Sequence, residues 1–227
     1  MRYNMQQRNA EKFYQGKFMF KGMKFGAQAL LVILSTMGAA AAEGEGDPVA
    51  GKDKSALCQG CHGEDGMSIN PMCPNLAGQI SKYIAKQIRD FQNEKRVDPV
   101  MSGMAATITE AQDAKDIAAY FASRKRMAGK AAKGAQAEKG KAIYLGGNPD
   151  TGLYACANCH GETGKGKSAD NPMFPVIGGQ LKEYIVKQLK DLRSGDRHND
   201  PAGMMGGIAK KLSDDEIDAV AEYTSGL

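Results

Sequence analysis

Two five-residue stretches hold the chain's most reactive groups: CQGCH at 58–62 and CANCH at 156–160. Two thiols separated by two residues can grip zinc, cycle between dithiol and disulfide, or bond covalently to a porphyrin. Zinc needs four ligands close together, and each stretch brings two cysteines and one histidine. A redox dithiol is expected at a helix start in a βαβ context, and no β-alternation is visible. Haem attachment uses all three residues. Thiols at this spacing reach the two vinyl groups of one porphyrin as thioethers, and the adjacent histidine lies over the iron as a neutral imidazole. Cys58, Cys61, Cys156 and Cys159 are read as haem-binding and His62 and His160 as iron ligands, with two covalently bound haem c per chain.

The two stretches sit in a repeat. CQGCHGEDG at 58–66 is echoed by CANCHGETG at 156–164, and NPMCPNLAGQ at 70–79 by NPMFPVIGGQ at 171–180. YIAKQIRDF at 83–91 returns as YIVKQLKDL at 184–192, the DP pair at 98–99 as DP at 200–201, and ITEAQDAKDIAAY at 108–120 as LSDDEIDAVAEY at 212–223. Matches in one order imply a duplicated domain. RMAGKAAKGAQA at 126–137, rich in Ala, Gly and Lys, reads as the linker between a first domain at 43–125 and a second at 138–227.

An iron held by one histidine needs a sixth ligand or keeps an open site, and this divides carrier from enzyme. Methionine is the soft donor at hand. Met101 lies seven residues before Ile108 and Met205 seven before Leu212, so these two are equivalent in the repeat. In that register Met104 faces Ile208 and Met204 faces Val100, and neither partner can bind iron. Met101 and Met205 are the expected iron ligands. Met72 and Met173 also match, but follow the histidines closely and are expected to pack in the loop or against haem. Pro74 and Pro175 are placed to offer backbone carbonyls to the histidine rings. Tyr83 and Tyr184 are expected in the core, and His198, with no counterpart in the first half, in solvent.

Helices must position these groups. SKYIAKQIRDFQNE places Tyr83, Ile84, Gln87, Ile88 and Phe91 at three- and four-residue spacing, and LKEYIVKQLKDLR repeats the pattern with Tyr184, Ile185, Gln188, Leu189 and Leu192. The last helix of each half is expected to open on a capping box, Thr109 with Gln112 and Ser213 with Glu216. Between CxxCH and the middle helix only loop is expected. Each half, with about four helices and few aromatics, buries a modest core, and a covalently held cofactor would complete it.

Upstream, Lys17, Lys21 and Lys24 precede the apolar run AQALLVILSTMGAAAA, which ends in small residues before EGEGD. This is the shape of a secretory signal, expected over 1–42, and MKFGAQALLVILSTMGAAAA from Met23 forms a complete signal by itself. Residues 1–42 hold six Lys/Arg and one acid; the remainder has 24 basic and 25 acidic residues, a net charge of −1. The whole-chain charge of +4 therefore belongs largely to that segment, and no nucleic-acid footprint remains. The expected location is the periplasm.

The paired CxxCH motifs, the P-x-x-x-G-Q segments, the Y-x-x-K-Q helices and a methionine ahead of a capped last helix together resemble the dihaem cytochromes c4, from about Gly51 to Leu227. The resemblance implies an all-α fold of two tandem cytochrome c-like haem domains related by a pseudo-twofold axis, with haem propionates near the domain interface. It implies a periplasmic, often membrane-associated electron carrier in a respiratory chain, from quinol–cytochrome c reductase to a terminal oxidase. Cys58, Cys61, His62 and Met101 would hold one haem, and Cys156, Cys159, His160 and Met205 the other. A competing reading, a dihaem peroxidase-like enzyme or reductase subunit, requires one open iron. One departure is Cys73, where the second half has Phe174 and the family often has an aromatic; it is expected as a buried small hydrophobe rather than an intermolecular disulfide.

Overall fold

The computed structural model describes residues 45–168 and 171–227; the expected export signal at 1–42 lies outside them. The described residues form ten α-helices and no strand, apart from one isolated bridge between Asn148 and Leu153. In the first half these are α1 (Pro48–Lys54), α2 (Ala56–His62), α3 (Ser81–Gln92), α4 (Met101–Ala106) and α5 (Ala111–Ala122). In the second half they are α6 (Ala135–Gly146), α7 (Ala157–His160), α8 (Lys182–Ser194), α9 (Met204–Ala209) and α10 (Asp214–Ser225). No helix among the described residues is long and apolar enough to cross a membrane.

Each half closes its first helix on its last through a glycine. A Cβ on Gly51 would stand 1.9 Å from the Asp116 carbonyl oxygen, and one on Gly140 would stand 1.9 Å from that of Ala219. Only the missing side chain lets α1 approach α5, and α6 approach α10, this closely. The middle helices then lay their apolar stripes on the same partners. Ile84, Ile88 and Phe91 of α3 pack with Ile117, Tyr120 and Phe121 of α5, while Leu189 of α8 packs with Ile217 and Val220 of α10. Burying a side chain such as Phe121 or Ile217 in full stabilises the fold by about 1.5–3 kcal/mol.

Helix starts differ between the halves. The box expected at Ser213 and Glu216 is present: Ser213 Oγ accepts from Glu216 N–H at 3.2 Å, and Glu216 Oε2 accepts from Ser213 N–H at 2.9 Å. The box expected at Thr109 and Gln112 is absent. α5 is capped by Glu110, which makes no side-chain cap bond, and Gln112 turns to Asp116 Oδ1 at 2.9 Å. The first half carries one more residue before its last helix, so Glu110 rather than Thr109 stands where Ser213 does.

The segment joining the halves is tied down at several points. Met127 is buried and donates its N–H to the Ala77 carbonyl at 3.1 Å, and Gly129 N–H donates to the Leu227 carbonyl at 2.8 Å. Met127 joins Ile80 and Val176 in a small apolar cluster shared by both halves. Helix α6 opens at Ala135, so its first turn takes in the last residues of the stretch read as linker.

Candidate haem sites

Helices α2 and α7 end at His62 and His160, and a glycine follows each with positive φ, +83° at Gly63 and +77° at Gly161. The chain then turns back over the imidazole. Tyr120 Oη donates to the Glu64 carbonyl at 2.6 Å and Tyr144 Oη to that of Gly161 at 2.7 Å, which fixes these turns from the helix behind. Further on, Leu76 and Ala77 N–H both donate to the Gly66 carbonyl, at 2.8 and 3.1 Å. Ile177 and Gly178 donate in the same way to Gly164, at 2.8 and 3.0 Å. These pins bring Pro74 and Pro175 over the histidines.

The expected carbonyl contacts form. His62 Nδ1 lies 2.8 Å from the Pro74 oxygen and His160 Nδ1 lies 2.9 Å from that of Pro175. A carbonyl only accepts, so Nδ1 carries the hydrogen and Nε2 keeps its lone pair for a metal. Burial pushes both rings below the ordinary histidine value, against the opposing pull of the proline carbonyls. Both are therefore neutral at neutral pH, the form that ligates iron. Burial likewise pushes the Cys58 thiol up, and that of Cys156 to about 11.

A single continuous cavity of ≈1000 Å³ runs past both CxxCH motifs. Met101 and Met205 line it, are half-buried, and pack against the core cluster of their own half. Met104 and Met204 also line it but belong to neither cluster, and Met204 is 39% exposed. The two halves share this register: Ile108 N–H bonds the Ala105 carbonyl and Leu212 N–H that of Ala209, each at 3.1 Å, with the acceptor residue four after Met101 and Met205 respectively. Met72 and Met173 lie at the exposed rim. Cys73, expected as a buried small hydrophobe, is only half-buried, on the cavity wall close to Cys61. His198 is exposed, as expected.

Tyr83 and Tyr184 do more than fill core. Arg197 Nη2 donates to Tyr83 Oη at 3.1 Å, and Arg96 Nη2 to Tyr184 Oη at 2.9 Å, each across the boundary between halves. Gln188 Oε1 accepts from both arginines at 2.7 Å, and Gln87 Oε1 accepts from Arg96 at 2.7 Å. The two guanidiniums face the cavity, and among the described residues the oxygens that accept from them are uncharged, with the Asp200 carboxylate near Arg197. Buried cations held this way favour an anionic partner. The repeat carried a signal for them, since Arg96 and Arg197 stand at matched places in otherwise dissimilar loops.

These features fit haem: a mainly apolar enclosure, paired thiols, a neutral imidazole with Nε2 free, methionine thioethers in the lining, and cations that could meet the propionates. The comparisons agree. A family model described as "Cytochrome c" matches residues 49–125 and 137–227. Cytochrome c4 of Thiocapsa roseopersicina is 43% identical over 83% of this chain and 96% of that protein. Cytochrome c4 of Pseudomonas aeruginosa is 42% identical over 87% of this chain and 98% of that protein. The crystal structure of reduced recombinant cytochrome c4 from Pseudomonas stutzeri matches with a TM-score of 0.74 and 41% identity, covering 80% of this chain and 99% of that one.

Proposed function

Because the chain belongs to the cytochrome c4 family and is a dihaem c-type electron carrier, we propose that it works in the periplasm, passing electrons from a quinol–cytochrome c reductase to a terminal oxidase. The observation that carries the site assignment is the matched geometry of the two halves: a buried neutral histidine locked to a proline carbonyl, a CxxC pair beside it and one half-buried methionine at an equivalent register. Cys58 and Cys61 would bond one haem, with His62 and Met101 holding its iron. Cys156 and Cys159 would bond the other, with His160 and Met205 holding its iron. The domains are taken as 43–125 and 138–227, joined by 126–137.

Each haem supplies a one-electron iron couple. The protein's part would be to give each iron two ligands, His62 with Met101 and His160 with Met205, which would leave no position for a substrate and suits a carrier rather than an enzyme. Methionine supports a higher potential than a second histidine would. The mainly apolar lining would exclude water, and Arg96 and Arg197, which face the cavity, would offset the propionate charge. The basic, apolar and small-residue pattern upstream of EGEGD supports export.

Intact mass of the exported protein should exceed its polypeptide by two haems, and acid–acetone should extract neither. The spectrum should show both irons low-spin and six-coordinate. A high-spin haem that turns over peroxide in the unmodified protein would replace the carrier by the enzyme reading.

A further inference from the structure

Gln79 and Gln180 occupy equivalent places in the repeat, are buried, and each reaches into the opposite half. Gln180 Oε1 accepts from Asn75 N–H at 2.8 Å and its Nε2 donates to the Asn75 carbonyl at 3.0 Å. Gln79 Oε1 accepts from Val176 N–H at 2.9 Å and its Nε2 donates to the Val176 carbonyl at 2.7 Å. Each Oε1 also accepts from the next residue of its own half, Ile80 N–H at 2.9 Å or Leu181 N–H at 3.0 Å, which fixes the amide's orientation.

The residues they grip are not arbitrary. The N–H of Asn75 and the carbonyl of Pro74 belong to one peptide group, and so do those of Val176 and Pro175. Those carbonyls are the acceptors of the His62 and His160 rings. An unbroken line of bonds therefore runs from His62 through one peptide to Gln180, and another from His160 through one peptide to Gln79. Hydrogen bonds in series polarise one another. An acceptor on the N–H raises the negative charge on the carbonyl oxygen, which draws harder on the imidazole N–H and makes the ring a better donor to metal.

We propose that Gln79 and Gln180 are positioning residues acting across the boundary: each sets the electron donation of the axial histidine in the opposite half. The proposal rests on the assignment of His62 and His160 as axial ligands. A more electron-rich imidazole favours the oxidised iron, so the glutamine lowers the opposite haem's potential.

The test uses the holoprotein with Gln180→Met and Gln79→Met. Redox titration is combined with proton NMR of the oxidised protein, in which hyperfine-shifted histidine signals are assigned to each half. Gln180→Met should shift the His62 signals and raise that haem's potential. The expected change is about threefold in the oxidised-to-reduced ratio at fixed ambient potential, ~28 mV at ~59 mV per tenfold for one electron. The His160 haem should move much less, and Gln79→Met should mirror the pattern. Gln180→Glu retains the acceptor and should move the His62 haem the other way; it also serves if the methionine variant does not fold. A shift confined to the variant's own half, equal shifts in both haems, or no shift would overturn the proposal. Absence of hyperfine shifts on His62 or His160 in the unmodified protein would instead overturn the ligand assignment, and this cross-connection with it.

Discussion

Replacing four methionines by alanine, one at a time, separates ligation from packing. Met101 and Met205 are half-buried and pack on their cores, so truncation costs about 2 kcal/mol, the low end for a buried methionine. For a chain of this size that lowers Tm by about 4–8 °C. Met204 is 39% exposed, and its loss should stay within about 0.5 kcal/mol. Met104, half-buried but outside the core cluster, should cost less than Met101. Packing alone would leave every absorption spectrum unchanged. Ligation would not: Met101→Ala and Met205→Ala should each open one haem, bring high-spin character, allow carbon monoxide to bind the reduced protein, and lower one potential of the two. Met104→Ala and Met204→Ala should do none of these. Optical spectra, carbon monoxide titration and thermal melts on the four variants decide it. If Met104→Ala opens a haem and Met101→Ala does not, the register reasoned from Ile108 and Leu212 is wrong.

The glycine crossings should be intolerant. Gly51→Ala and Gly140→Ala each drive a Cβ into backbone and should cost about 3 kcal/mol in denaturant unfolding, whereas Gly146→Ala, with nothing within 4 Å, should cost nothing. The Glu216 carboxyl is held below its ordinary value by the Ser213 N–H. A depressed carboxylate contributes stability present above its unfolded value of ~4.3 and lost as pH falls through its folded value. Glu216→Gln should therefore cost about 0.5 kcal/mol at pH 7, and in acid the variant and parent should unfold alike. Cys73→Ser should retain the spectrum and a monomer on non-reducing gels and in gel filtration, with a loss under about 1.5 kcal/mol; disappearance of a disulfide-linked dimer in the variant would show that Cys73 pairs between chains.

The repeat made much of this molecule legible. The CxxCH motifs, the amphipathic α3 and α8, and the proline carbonyls over the histidines follow from local patterns, because short-range turns and helical spacing determine them. What lay hidden was set by partners distant in sequence. The close approach of α5 at Gly51 and of α10 at Gly140 has no mark in the residues around either glycine. Tyr83 and Tyr184 look like core aromatics because helical periodicity cannot see an arginine of the other half. Gln79 and Gln180 are plain in the repeated motif, but their bonds cross to the opposite half. Thr109 failed as a cap because one additional residue moved Glu110 into that place.

The crossed bonds of Gln79 with Val176 and Gln180 with Asn75, and of Arg96 with Tyr184 and Arg197 with Tyr83, have the form of an isologous interface, in which i meets j and j meets i. Two identical copies meet this way around a twofold axis. In such a homodimer every substitution strikes both sites at once, and the two metals stay alike. Joined in one chain, each side is free to drift alone. Asn75 opposite Val176, Cys73 opposite Phe174 and Gln92 opposite Arg193 record that drift. Fusion thus turns a symmetric pair into an ordered one, in which the two halves can hold electrons with unequal strength and give the molecule an entrance and an exit.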